Sequence, residues 1–249
     1  MSTNENHTPR KKRSDAGQPQ LTHRDLLILP WIAHQYAVRT DQAQVLLSRY
    51  PGKPMKEDLI SDAVLKDQVH RWSKKARWMG YKRFLAEGPG WLWLTKKGLQ
   101  TCYLDKIYTS RPPAATRLYH MYAVNEVRLF LEDKGYVWVS ERQIRSQLEH
   151  VEKGESSGPI PDGYLEHPNG KIAIEVELTP KKPQDLLEKL HSLAVATEQG
   201  PGYSYGRAYP AIWFYVPDEG MKRAVEAARA KLRGDFAERI SVLVADLDY

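Results

Sequence analysis

Between Ile160 and Lys181 the chain carries two short alternating runs around the tetrapeptide His167-Pro168-Asn169-Gly170. In the second run Ile172, Ile174, Val176 and Leu178 alternate with Ala173, Glu175 and Glu177. A period of two sends the aliphatic side chains to one face of a strand and both glutamates to the other. Asn-Gly supplies positive φ at little cost, so the two runs are expected to pair as a hairpin. Two registers are open. A four-residue loop, with Glu166 opposite Lys171, sets Asp162 across from Glu175. A two-residue loop sets Asp162 across from Glu177 instead. Either one gathers three carboxylates on a single face.

Carboxylates this close repel one another and need cations, protons or open water. A hard divalent ion such as Mg²⁺, bound by one or two carboxylates plus waters, answers that need. A solvated acidic face answers it equally well.

The charge of the chain is unevenly spread. Its formal net value is +6, yet residues 21–110 hold 15 basic and 8 acidic side chains, whereas residues 111–249 hold 18 and 21. The first half is built to meet a polyanion and the second is not, which implies two domains with different tasks. Residues 1–20 are polar, with a basic knot at Arg10-Lys11-Lys12-Arg13, and are expected to form a flexible tail. No apolar run approaches the roughly 20 residues of a membrane span, and no signal-like apolar core stands at the start. The sole cysteine, Cys102, leaves no partner for an internal disulfide and no cysteine-rich zinc site. A reducing cytoplasm fits these features best.

Thr22 is placed to cap a helix running through Asp25, Leu29 and Ile32, and Gln42 to Leu47 reads as a second helix. A third is expected from Ser61 to Met79, because Leu65, Val69, Trp72, Ala76 and Met79 recur at spacings of four and three. Gly80 is read as its stop. Strands are expected at Lys82 to Leu85 and Trp91 to Leu94, followed by a short helix after Thr95. Three helices and a β-hairpin are the order of a winged helix, whose third helix enters the major groove. The candidate DNA contacts are Lys66, His70, Arg71, Lys74, Lys75 and Arg77 on that helix, with Lys82 and Arg83 beside the hairpin. Trp72 is expected in the core.

Pro112-Pro113 marks a stiff linker that would hold the halves at a preferred separation. Beyond it the chain reads as an apolar helix from Ala114 to Lys134, a strand from Tyr136 to Glu141, and a polar, partly helical insertion from Arg142 to Gly158. The hairpin comes next, then a helix beginning at Pro183, an aromatic loop at Gly200 to Gly206 and a strand from Ala211 to Val216. A helix from Gly220 to Leu232 and a strand from Ile240 to Ala245 complete it. Trp213, Phe214 and Tyr215 read as core, and so does His120.

This order, with Pro161-Asp162 on one strand and Glu175 on the next, resembles the PD-(D/E)xK restriction-endonuclease-like fold. The resemblance implies an aspartate and an acidic residue that hold Mg²⁺, and a lysine two positions on. Here Glu177 stands in the lysine's place, and Lys181 is the nearest displaced lysine in the sequence. The chain as a whole is similar to the replication-relaxation family of plasmids and other mobile elements. The similarity rests on Leu21-Thr22-His23-Arg24-Asp25, Trp93-Leu94-Thr95-Lys96-Lys97-Gly98, His120 and Asn125, Ser140-Glu141-Arg142, Pro161-Asp162-Gly163 and Glu175-Val176-Glu177. It implies DNA handling more firmly than cleavage.

The expected organisation is therefore α+β: a tail at 1–20, a winged-helix domain at 21–109 and a nuclease-like α/β domain at 110–249. The expected partner is double-stranded DNA, with no membrane, and paired half-sites would suit a homodimer. The first functional reading is a DNA-binding protein acting in replication, its control or transcription. The alternative is a Mg²⁺-dependent endonuclease or nickase. It would use Asp162 and Glu175 as metal ligands, Glu177 and Lys181 beside them, and Glu126 or Glu141 to complete the shell. No His-Glu-x-x-His spacing, Walker loop or Gly-x-Gly-x-x-Gly is present.

Overall fold

A computed structural model describes residues 19–49, 59–148, 159–168, 170–198 and 209–245. The basic knot of the tail, residues 149–158 of the polar insertion, Asn169 and the loop at 200–206 lie outside them. The protein is mixed α+β, with helices around two separate sheets.

The N-terminal part begins with α1 (His23–His34), which Thr22 closes through a capping box with Asp25. It continues through β1 (Val38–Arg39), α2 (Thr40–Ser48) and α3 (Asp62–His70). A wide turn of five residues, Arg71–Lys75, extends α3. The strands β2 (Met79–Lys82) and β3 (Trp91–Leu94) follow, then α4 (Lys96–Thr101). The three strands pair antiparallel in the order β1-β3-β2.

The third helix is shorter than its apolar stripe predicts. Ala76 donates its N–H to the Arg71 carbonyl and Trp78 to that of Trp72, so the last turn opens out. Arg77 then takes a left-handed φ of 57° and the chain leaves the helix. Met79 belongs to β2, and Gly80 is a strand residue rather than a stop: a Cβ there would lie 2.3 Å from the Trp93 ring. The first strand of the hairpin accordingly starts at Met79 rather than at Lys82.

The C-terminal part opens with α5 (Leu118–Asp133), followed by β4 (Val137–Ser140) and α6 (Glu141–Leu148). Next come β5 (Gly163–Glu166), β6 (Ile172–Val176) and α7 (Pro183–Glu198). The part ends with β7 (Ala211–Val216), α8 (Glu219–Arg229), α9 (Gly234–Glu238) and β8 (Ile240–Val244). The sheet order is β4-β5-β6-β7-β8; the first two pairings are antiparallel and the last two parallel. A parallel pair needs a crossover, and α7 provides the one between β6 and β7. Ile172, Ile174 and Val176 pack with Ala123, Val127 and Leu131 of α5. Ala173, Phe214 and Val242 face the opposite layer, with Leu186 and Leu190 of α7 and Val225 of α8.

The two parts touch closely rather than standing apart on their linker. Asn125 of α5, nearly inaccessible, accepts from Gln35 and donates to Gln42 and to the Ala37 carbonyl. Trp31 donates to Glu132, which also holds Arg128, and Arg49 reaches Asp133 at 2.6 Å. The strongly apolar character of α5 follows from this double duty: one face meets the sheet, another the N-terminal part. No helix among the described residues is long and apolar enough to cross a membrane.

Candidate functional site

The hairpin takes the register of the four-residue loop. Gly163 pairs with Ile174 and Leu165 with Ile172, which sets Asp162, one residue before β5, across from Glu175. Gly170 closes the turn with a φ of 113°, its N–H donating to the His167 carbonyl. The glutamate face is not solvated. Glu175 and Glu177 are each only 5 % exposed, covered from the side of α7.

A residue from that helix supplies the counter-charge. Lys189 Nζ lies 3.0 Å from Glu175 Oε2 and 3.3 Å from Glu177 Oε2. Lys181 reaches Glu177 alone, at 2.6 Å. The sequence therefore pointed to the wrong lysine for Glu175. A signal was available: Lys189 falls between Leu186 and Leu193 at spacings of three and four, inside the buried stripe of its helix. An ammonium in such a position requires a buried acid opposite it.

Asp162 is held from two other sides. His120 Nε2 meets its Oδ1 at 2.8 Å, and the Val176 N–H donates to its Oδ2 at 2.9 Å. His120 is thus a partly exposed site residue, not a core histidine, and the bond to Asp162 raises its proton affinity despite burial.

The electrostatics of the four groups differ. Burial, reinforced by the charge of Asp162, pushes Glu175 up to about 7. Glu177 is also penalised by burial, yet Lys181 and Lys189 hold it below the usual carboxylate range. Burial opposes the Lys189 ammonium, but Glu175 and Glu177 more than compensate and raise it. Near neutral pH the cluster therefore shares a proton on Glu175 while the lysine stays charged.

The donors suit a hard cation in kind. Asp162 and Glu175 offer carboxylate oxygens, and a proton retained on Glu175 marks the concentration of negative charge that a divalent ion would relieve. Among the described residues no group of three or more His, Cys, Asp or Glu is arranged to hold a metal, so water would complete the shell. Neither expected helper stands free. Glu126 accepts from Gln42 at 2.8 Å, and Glu141 is paired with Arg145 at 2.6 Å.

The candidate DNA contacts divide in two. Lys66, His70, Lys74, Lys75, Arg77, Lys82 and Arg83 are exposed. Arg71 turns inward to the fully buried Asp25, with two bonds of 2.8 and 2.6 Å, and is a structural residue. Lys66, His70, Lys74 and Arg83 line a groove of about 480 Å³ between α3 and the hairpin. A scan against protein-family models, a search of curated proteins and a search of solved structures each gave no match to this chain.

Proposed function

We propose that the protein binds double-stranded DNA through its N-terminal part, as a DNA-handling protein of a plasmid or other mobile element acting in replication, its control or transcription. One observation carries the reading: Lys66, Lys74 and Lys75 project from α3 and its extension with no carboxylate of the described residues within 4.0 Å. Cations left unpaired by the fold are the groups that release counterions when they meet phosphates. The element order α1, α2, α3 and hairpin, with β1 closing the sheet, supports a winged helix. The resemblance to the replication-relaxation family points the same way.

An electrophoretic shift tests the proposal. The triple change Lys66→Gln, Lys74→Gln, Lys75→Gln is expected to weaken duplex binding on the order of 100-fold at low salt and to reduce the salt slope by about 3. Arg71 is left intact so that the fold is not disturbed. Binding equal to wild type rejects the assignment.

A second reading is favoured by the charge coupling between Asp162 and Glu175. These two residues would hold Mg²⁺, which activates water and neutralises charge at a phosphodiester. In that reading Lys189 takes the place of the strand lysine that Glu177 replaces. Supercoiled plasmid incubated with Mg²⁺ should be nicked by wild type and spared by Asp162→Ala. Identical outcomes for the two proteins remove the nuclease.

A further inference from the structure

His120 and Asn125 of α5, Glu141 and Arg142 of α6, and Asp162 before β5 come from three stretches of the sequence but line one cleft of about 400 Å³ where the two parts meet. Arg111 and Arg117 complete its rim. We propose that this cleft binds a phosphate group of a single nucleotide strand, gripped by Arg111 and Arg117 beside the Asp162 carboxylate. It is distinct from the duplex surface on α3 and stands independently of it.

The charges around the cleft differ in how far they are already paired. Asp162 already accepts from His120 and from the Val176 N–H. Glu141 Oε1 is taken by Arg145 at 2.6 Å, and its other oxygen meets Arg117 only at 3.9 Å. Arg117 is 60 % exposed, and Arg111 has no carboxylate of the described residues within ion-pair distance. The acids of the cleft are thus engaged, whereas its two rim guanidinium groups are exposed along its lining. A guanidinium fork matches phosphate geometry.

The deeper wall keeps a fixed positive field. Arg142 is nearly inaccessible and, among the described residues, donates to neutral acceptors, the carbonyls of Ala33 at 2.6 Å and Thr109 at 2.8 Å. Its guanidinium stacks over Tyr36 and Tyr108, so it is placed rather than mobile. The neighbouring His34 responds to that field: burial, with the charges of Arg128 and Arg142, holds it down at about 4. Tyr36, on the same wall, adopts a left-handed φ of 68°. A non-glycine residue keeps such a conformation where its surroundings over-determine it, a condition met often at ligand sites.

Size chooses among nucleic acids. A volume of about 400 Å³ is that of a small-ligand pocket and admits a nucleotide, whereas a duplex would have to stay outside. Met121, Pro112 and Pro113 add apolar surface to the lining, against which a sugar or base can lie. A strand so held brings a phosphodiester next to Asp162.

The test uses the full chain with a labelled oligo-dT strand, a labelled duplex, and thymidine monophosphate or inorganic phosphate as competitors. Arg111→Ala with Arg117→Ala is expected to weaken oligo-dT binding about tenfold or more while duplex binding stays within about twofold. The α3 triple variant should show the opposite pattern. Displacement of oligo-dT by monophosphate or phosphate at millimolar levels identifies the phosphate group itself as the ligand; resistance to both identifies the strand backbone. The single reversal Arg117→Glu, at an exposed position, repeats the test without a double change. Wild type that fails to bind oligo-dT, arginine variants that bind it normally, or an equal loss of duplex binding each overturn the cleft site. A lysine triple that leaves duplex binding unchanged refutes the α3 reading and leaves this one standing.

Discussion

Replacing Asp25 by alanine is expected to destabilise the protein by about 3–5 kcal/mol, the usual cost of stripping one partner from a buried charge pair. Asp25 is fully inaccessible and accepts from Arg71 through both terminal nitrogens, from Trp72 Nε1 at 2.7 Å, from Gln68, and from the hydroxyl and N–H of Thr22. The carboxylate therefore joins the cap of α1 to the end of α3. Its loss leaves the buried Trp72 indole N–H without its acceptor and the Arg71 guanidinium with the Gln20 carbonyl but no counter-charge. The Asp25→Asn change keeps one acceptor oxygen but no charge, so its stability should fall between wild type and alanine.

The same residue sets a pH dependence. Burial by itself would raise Asp25, but the bonds from Arg71, Thr22 and Trp72 outweigh it and hold the group at about 2, against an ordinary 3.8. A depressed carboxyl contributes stability that is full above about pH 4 and is lost as pH falls through about 2. The amount is about 2.5 kcal/mol. Urea denaturation across that window should show the loss in wild type and a flatter profile in Asp25→Asn. A penalty for alanine below about 1 kcal/mol would contradict the structural role given to the pair.

What the sequence made legible was local. Thr22 as a cap, Trp91 to Leu94 as a strand and the alternation through Ile172 to Val176 all depend on neighbours in the chain, and each stands where it was expected. Period alone could not say what covers a face. The glutamates point away from the isoleucines as predicted, but α7 lies over them, and the cation it delivers comes from a residue 14 positions after Glu175. The end of α3 was misread for a related reason. Ala76 and Met79 are both buried, and burial continues through the change from helix to strand, so the apolar stripe does not record the break at Arg77. Arg71 looked like one more cation on a basic face because Asp25 is 46 residues away. His120 looked like core because its acid, Asp162, is 42 residues away.

Lys189→Met should cost about 3–5 kcal/mol at pH 8, because Glu175 would then have either to ionise in the interior with no cation beside it or to hold a proton at that pH. Lys181 cannot replace it, being engaged with Glu177. Lys181→Met should be far milder, at most about 1 kcal/mol, since that lysine is about a third exposed and Glu177 keeps Lys189. The sign of the pH effect separates this account from simple loss of packing. Glu175 holds its proton up to about 7, well above an ordinary glutamate. A carboxyl raised by folding makes the native state bind more protons than the unfolded chain, so stability falls as pH rises from about 4.5 through about 7. Without Lys189 the proton is held still more firmly, and the decline should extend to higher pH. Glu175→Gln removes the ionising group and should level the profile between about pH 5 and 8. Combining Glu175→Gln with Lys189→Met should then recover much of the loss, which a double-mutant cycle in denaturant would read as a coupling above about 1 kcal/mol. Additive penalties would mean that Lys189 acts through Glu177 or its aliphatic stem rather than through Glu175. Coupled penalties would make it the cation of the Asp162–Glu175 cluster, reached from a helix where the related motif places its lysine on the strand.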